Sequence, residues 1–216
     1  MNDFERALVA CIGRDRLTII QSIQVGIAGA GGLGSNCAQF LVRSGFKKLK
    51  IVDFDVVDWT NLNRQFYFAD QVGSKKVEAL RQNLLRINPD LDLELLDQKI
   101  TRDNADSLFA DCQIVVEALD QVESKKLMVE TYLNSGKLLV CTSGLAGWGK
   151  SDDIVINRLK ENFYLVGDLI REVGPADPPM APRVSIAAAK EADVILAYVL
   201  NCLAEGGQND EKNRHG

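Results

Sequence analysis

A chain of 216 residues carries a single histidine, His215, and it stands one residue from the end in a polar tail. That scarcity argues against a buried His base, a Ser–His–Asp relay or a His-ligated zinc as the centre of any mechanism. The five cysteines (Cys11, Cys37, Cys112, Cys141 and Cys202) are scattered, and no two form a C-x-x-C pair. Such a set fits buried thiols in a reducing cytoplasm, not a disulfide framework or a thiolate zinc site. No run of about 18 uncharged apolar residues occurs, so no membrane span is expected. The stretch from Val184 to Leu203 is the most apolar late one, and Lys190, Glu191 and Asp193 interrupt it. Basic charge is also short: 25 Lys and Arg face 30 Asp and Glu, a net −5 that offers nucleic acid no basic face. Asp3 and Glu5 precede any apolar run, which does not read as a secretory signal, and a cytoplasmic location is expected. There is no internal repeat. Carboxylates, amines, guanidinium groups and backbone are left to do the chemistry.

What is present suits one domain, expected over 1–205, long enough to bury a core unaided. The remainder, 206–216, reads as a disordered polar tail. Phe4, Leu8, Cys11 and Ile12 fall at helical spacing, so 1–22 reads as an N-terminal helix. Short β-rich runs follow at 24–29, 49–53, 91–95, 113–119 and 137–141. Helical stretches separate them at 32–44, 74–88, about 103–110 and 121–135, with Gly45 as a C-terminal cap and Ser74 as an N-terminal one. This alternation predicts an α/β fold, a Rossmann-like mixed sheet with helices on both faces. Its N-terminal half would be parallel. Segments 153–159 and 162–166 are joined by so short a link that they read as antiparallel C-terminal strands. Four prolines between Pro175 and Pro182 mark a rigid crossover into a last helix starting near Pro182.

Gly29-Ala30-Gly31-Gly32-Leu33-Gly34 follows a strand and opens a helix, the setting a nucleotide-binding turn requires. Gly29 permits the tight turn, Gly31 the approach of a phosphate to backbone, and Gly34 close helix–strand packing. The helix start offers free N–H groups to an anion. Asp53 ends the next strand, where its carboxylate can accept from ribose hydroxyls. A plain packing turn is the alternative, and the turn alone suits NAD as well as ATP.

The next loop separates the two nucleotides. Asn61-Leu62-Asn63-Arg64-Gln65 lies within fifteen residues of Asp53, and Lys76 opens the following helix. A pyrophosphate carries about two charges and a triphosphate about four, and each cation at ~4 Å is worth several kcal/mol at intermediate dielectric. Ordinary solvated charge is the alternative for Arg64 and Lys76. Asp120 ends the 113–119 strand at the carboxyl edge of the sheet and can hold Mg²⁺. It can also cap the next helix with Glu123 in a capping box. Glu117, on the same strand face, is a weaker candidate. An NAD-dependent oxidoreductase and a non-catalytic nucleotide-binding module remain the rival readings.

Taken in order, G-A-G-G-L-G-S at 29–35, V-D-F-D at 52–55, N-L-N-R-Q at 61–65, G-S-K-K-V-E at 73–78, E-A-L-D at 117–120 and M-A-P at 180–182 resemble the ThiF/MoeB/HesA family, relatives of ubiquitin-activating enzymes. The similarity spans about residues 20–200. It is strongest to the short ThiF-like type that adenylates the thiamine sulfur carrier ThiS. The resemblance implies an eight-stranded mixed sheet, a homodimer, and attack on ATP–Mg²⁺ by the C-terminal glycine of a small ubiquitin-like carrier ending in Gly-Gly. By motif position, Gly32 and Asp53 would hold the nucleotide, Asn61, Arg64, Gln65 and Lys76 would line the phosphates, and Asp120 would take the metal. Asp55 and Asn63 are counted in the same binding set. A partner protomer would lend an N-terminal arginine, with Arg6, Arg14 and Arg16 as candidates and Arg14 favoured. Longer relatives carry two C-x-x-C zinc pairs, absent here, so no zinc is expected. No cysteine lies between Ser143 and Pro182, so the reaction is expected to stop at the acyl-adenylate, with Cys141 a buried strand thiol. Ser143–Gly149 and Trp148 either border the channel for the carrier tail or form a tight sheet connection. Within the family, an activator of a molybdopterin-type carrier or an RNA-modification relative stays open.

Overall fold

The computed structural model of the chain describes residues 1–171 and 173–212, with 202–212 as backbone alone. Seven strands form one sheet: β1 (Gln24–Ala28), β2 (Lys48–Val52), β3 (Asp92–Leu96), β4 (Ile114–Glu117), β5 (Leu138–Thr142), β6 (Val155–Lys160) and β7 (Phe163–Gly167). Their spatial order is β3-β2-β1-β4-β5-β7-β6. Each neighbouring pair is parallel except β6–β7, so β6 alone runs against the rest. The α/β, Rossmann-like mixed sheet expected from the sequence is therefore what the chain forms. The described residues supply seven strands, against the eight implied by the family resemblance.

Burial explains why the central strands lack alternation. β4 reads IVVE and β5 reads LLVCT, and every residue of both is buried. Continuous apolar runs are expected where helices cover both faces of a parallel sheet. The period of two still assigns sides. Leu138 and Val140 join one cluster, under α3 (Gly32–Arg43) and α7 (Ala181–Lys212). Leu139 and Cys141 join the other, under α5 (Ala105–Leu108) and α6 (Val122–Tyr132). Small residues on α7, Ala187, Ala188 and Ala192, let it approach Cys37, Ala38 and Leu41 of α3. A fully buried leucine such as Leu41 contributes about 1.5–3 kcal/mol by leaving water. At the edge, β6 exposes Val155, Ile156 and Leu159, and Arg158 and Lys160 blunt its open hydrogen-bonding side.

Several local expectations are corrected. The N-terminal segment is two helices, α1 (Asp3–Ile12) and α2 (Arg14–Ser22), because Gly13 turns the chain at φ +85°. The helix expected from Ser74 begins at Lys76 and ends at Leu85 (α4), without Ser74 as its cap. The Val57 N–H donates to the Ser74 carbonyl and Val56 bridges Lys75, so that short pairing holds Ser74 and Lys75 extended. Asp120 and Glu123 form no capping box, since the N-cap of α6 is Gln121. The backbone of α7 continues to Lys212 through part of the segment read as a disordered tail, and 213–216 lie outside the described residues. Cys11 is exposed, whereas Cys37, Cys112 and Cys141 are buried as expected. Among the described residues, no helix is long and apolar enough to cross a membrane.

Candidate functional site

β1 and β4 are neighbours, yet the chain leaves them toward opposite sides, through β2 and β5. Ligands of open α/β sheets bind at the carboxyl ends of strands beside such a reversal. The glycine turn after β1 and Asp120 after β4 both stand there.

Steric demands account for two of the glycines. Gly29 sits at φ +101°, and a Cβ there would lie 2.7 Å from the Ala118 carbonyl oxygen. A Cβ on Gly34 would collide with the Gly29 carbonyl oxygen. Side chains from distant segments then stitch the turn in place. Ala30 donates its N–H to Asp53 Oδ2 at 2.6 Å, and its carbonyl accepts the Tyr67 hydroxyl at 2.7 Å. Ser35 donates to the Gly31 carbonyl at 2.6 Å and accepts the Phe66 N–H at 3.0 Å. Asn36 donates to the carbonyls of Gly32 (2.6 Å) and Arg64 (2.8 Å). Asp53 stands just past the end of β2 beside the turn, with its second oxygen taking the Asp55 N–H at 2.8 Å.

Residues of the following loop take mixed positions. Arg64 packs its stem 3.5 Å from the point a Gly32 Cβ would occupy. Its guanidinium donates to the Thr60 carbonyl and to Asn63 Oδ1. Burial lowers the Arg64 pKa, and the charge of Asp120 opposes that shift. Gln65 is buried with its Oε1 unpartnered among the described residues, and its Nε2 lies 4.0 Å from the Gly31 Cβ position. Lys76 is buried too, and its ammonium pairs with Asp55 at 2.7 Å. Asn61 serves the local turn instead, closing a capping box with Asp58. Asn63 reaches the Pro179 carbonyl at 3.3 Å and so touches the crossover. Asp120 is exposed. Arg14 is not brought to the site by its own chain. The helices α1 and α2 pack at the opposite end of the sheet, where Glu5 bonds Lys47 and Leu17 meets Gly45 just past α3.

A nucleoside triphosphate fits this set: an open backbone turn, the Gln65 amide nitrogen beside Gly31 as a donor, and two cations. A lone carboxylate such as Asp120 fits Mg²⁺, which keeps several waters and phosphate oxygens. Among the described residues, no group of three or more His, Cys, Asp or Glu could itself hold a metal. Cys141 is buried and desolvation raises its thiol pKa, so it is not poised as a nucleophile.

The crossover forms the other wall. Arg183 is fully buried on α7 and pairs with Asp168, while donating to the carbonyls of Gly149 (2.8 Å) and Lys150 (2.9 Å). Asp168 also accepts the N–H groups of Ile170 and Arg171. Trp148, Ile170 and Val173 stand exposed on this wall. The structural roles of Tyr67, Ser35, Asn36 and Arg183 are absent from the sequence reading. No spacing rule links Tyr67 to Ala30 across 37 residues.

An adenylyltransferase and sulfurtransferase of Candida glabrata is 33% identical over 160 residues, 74% of this chain and 35% of its own length. The ThiS adenylyltransferase of Bacillus subtilis is 35% identical over 132 residues, 60% of this chain and 39% of its own. The chain thus spans little more than a third of the length of these relatives. The tRNA N6-threonylcarbamoyladenosine dehydratase of Escherichia coli, solved with AMP, superposes with a TM-score of 0.84 at 21% identity, covering 93% of this chain and 95% of the other. Its ATP complex gives 0.80 at 21% identity, covering 94% and 95%. Residues 4–195 match the family model described as ThiF family, and the chain belongs to that family.

Proposed function

We propose that the chain is an ATP-dependent adenylyltransferase. It activates the C-terminal glycine carboxylate of a small ubiquitin-like sulfur carrier ending in Gly-Gly, of the ThiS kind used in thiamine biosynthesis. The observation that carries this reading is the packing of Arg64 and Gln65 against the open glycine turn, with Asp120 following the neighbouring strand β4. The relatives support it, since one is named for adenylating ThiS and another as an adenylyltransferase.

A carrier carboxylate has an intrinsic pKa near ~3.5, so at neutral pH it is already a nucleophile and needs no base. That agrees with a chain whose one histidine is His215. The carboxylate oxygen attacks the α-phosphorus, the bond between α- and β-phosphates breaks, and pyrophosphate leaves with the electron pair. The protein's work is to align those atoms and to neutralise charge moving onto the leaving group. Backbone N–H groups at the start of α3 and Asp53 hold the nucleoside end. Arg64 faces the phosphates, and Lys76 joins it by exchanging Asp55 for a phosphate oxygen. Such preorganised charge is usually the largest catalytic contribution. Asp120 would hold Mg²⁺, which supplies further charge neutralisation on phosphate oxygens. The enzyme acts as a cytoplasmic homodimer in which a partner's Arg14 completes the set. With Cys141 buried and no cysteine from 143 to 182, the product is the acyl-adenylate.

A second reading is favoured by the fold match that spans nearly the whole dehydratase chain. There the adenylated group would be a small carboxylate on a modified RNA, which the net charge of −5 does not suit. Exchange of labelled pyrophosphate into ATP tests both. A Gly-Gly-ending carrier should stimulate it and a carrier lacking the last glycine should not. Stimulation by a carboxylate-bearing RNA alone would overturn the first reading.

A further inference from the structure

Glu117 ends β4, is 1% exposed, and belongs to neither hydrophobic cluster. Its carboxylate Oε1 accepts the Leu119 N–H at 2.8 Å, which bends the chain immediately before Asp120. Both carboxylate oxygens accept from the ammonium of Lys125 on α6, at 3.1 and 3.0 Å. The same ammonium donates to the Thr142 carbonyl at 3.1 Å, where β5 ends. One cation therefore joins the end of β4, the first turns of α6 and the end of β5. The Thr142 hydroxyl extends the chain of bonds to Glu191, buried on α7. Between Glu117 and Asp120, the Ala118 carbonyl lies against the glycine turn with no room for a Gly29 side chain.

Stability does not account for such a pair. Taking a carboxylate out of water costs several kcal/mol, and a well-packed apolar pair of equal volume holds a core at least as firmly. Direction is what the pair adds. It sets the path of the backbone from β4 into Asp120, and it locks that path to the neighbouring strand end.

We propose that Glu117 and Lys125 are positioning residues for Asp120: they hold the 118–120 turn and the end of β5 as one unit, so that Asp120 is carried at a fixed place beside the glycine turn. What Asp120 acts on rests on the adenylation reading; the clamp itself does not.

The test uses the full chain with Glu117→Ala, Glu117→Gln, Lys125→Met and Lys125→Arg, and two readouts. The first is hydrogen exchange at the Leu119 amide. The second is pyrophosphate exchange resolved into kcat and KM for ATP. Glu117→Ala should unprotect the Leu119 amide and lower kcat by about 10²-fold, with KM changed by less than about threefold. Glu117→Gln keeps an acceptor for that amide and should fall between. Lys125→Arg, able to span the same acceptors, should recover most of the kcat that Lys125→Met loses. An unprotected Leu119 amide with kcat unchanged would overturn the proposal. So would losses in all four variants that merely follow a lowered melting temperature. Should Glu117→Ala fail to fold, Glu117→Gln and Lys125→Met decide on the same readouts. If the parent chain performs no pyrophosphate exchange, the adenylation reading falls, and a Leu119 amide still protected in Glu117→Ala would separately remove the clamp.

Discussion

The two walls of the site follow opposite rules. On the glycine-turn wall, both backbone groups of Ala30 are held by side chains, Gln65 and Lys76 are buried, and Gly34 has no space for a methyl group. On the wall that carries Trp148 and Ile170, these two are 64% and 84% exposed, and a Cβ on Gly149 would meet nothing within 4 Å. Leu169 is also held at φ +60°, a conformation that branched side chains disfavour. The first wall suits a ligand of fixed shape that touches backbone. The second leaves large apolar groups in water, as surfaces that meet a macromolecule do.

The largest test of this contrast is Gly34→Ala. It should cost about 3 kcal/mol and abolish ATP binding, read by thermal unfolding and calorimetry. Gly149→Ala, strained only by its φ of +68°, should cost no more than about 1 kcal/mol. Comparable losses at the two positions would break the comparison. Next comes Asp120→Ala, which should lower pyrophosphate exchange by about 10²-fold at an unchanged melting temperature. Near-normal exchange would remove Asp120 from the chemistry.

Where the walls join, Glu191 sharpens the picture through pH. Burial pushes its carboxyl up from an ordinary 4.5 to about 8, with the neighbouring Glu117 charge adding to the rise. The folded chain thus keeps a proton that the unfolded chain releases near 4.5. Stability from this group is full below that pH, falls as pH climbs toward 8, and then levels off. Glu191→Gln should stay within about 1 kcal/mol of the parent near pH 5 and exceed its stability by about 4 kcal/mol at pH 8, by urea unfolding. A parallel pH profile in both proteins would show that Glu191 is not the group responsible. The smallest effect is expected at Trp148→Ala, about tenfold weaker carrier binding with ATP binding unchanged. Unaltered carrier binding would make the second wall a plain sheet connection.

Much of the fold was legible because it rests on local rules. The alternation of β-rich and helical runs, the glycine turn and the acid at the end of β2 follow from spacing along the chain. The structure departs from local patterning where another group claims a residue first. Ser74 looks like a helix cap until its carbonyl is seen pairing with Val57, and Asp120 looks like one until α6 starts after Gln121. Asn61 shares a motif with Arg64 and Gln65, yet its carboxamide closes a turn with Asp58.

The sequence alone determined the class of sheet and the glycine turn between β1 and α3, because these depend on residue type and near-neighbour order. Tertiary structure alone decided that Tyr67 secures Ala30, that Lys76 rests on Asp55, and that Lys125 joins Glu117 to the end of β5. Those contacts join different elements of the fold, Tyr67 reaching Ala30 across 37 residues. Burial strengthens the Tyr67 and Glu117 bonds in a low-dielectric interior, and no pattern in a linear string reports which side chains will share that interior.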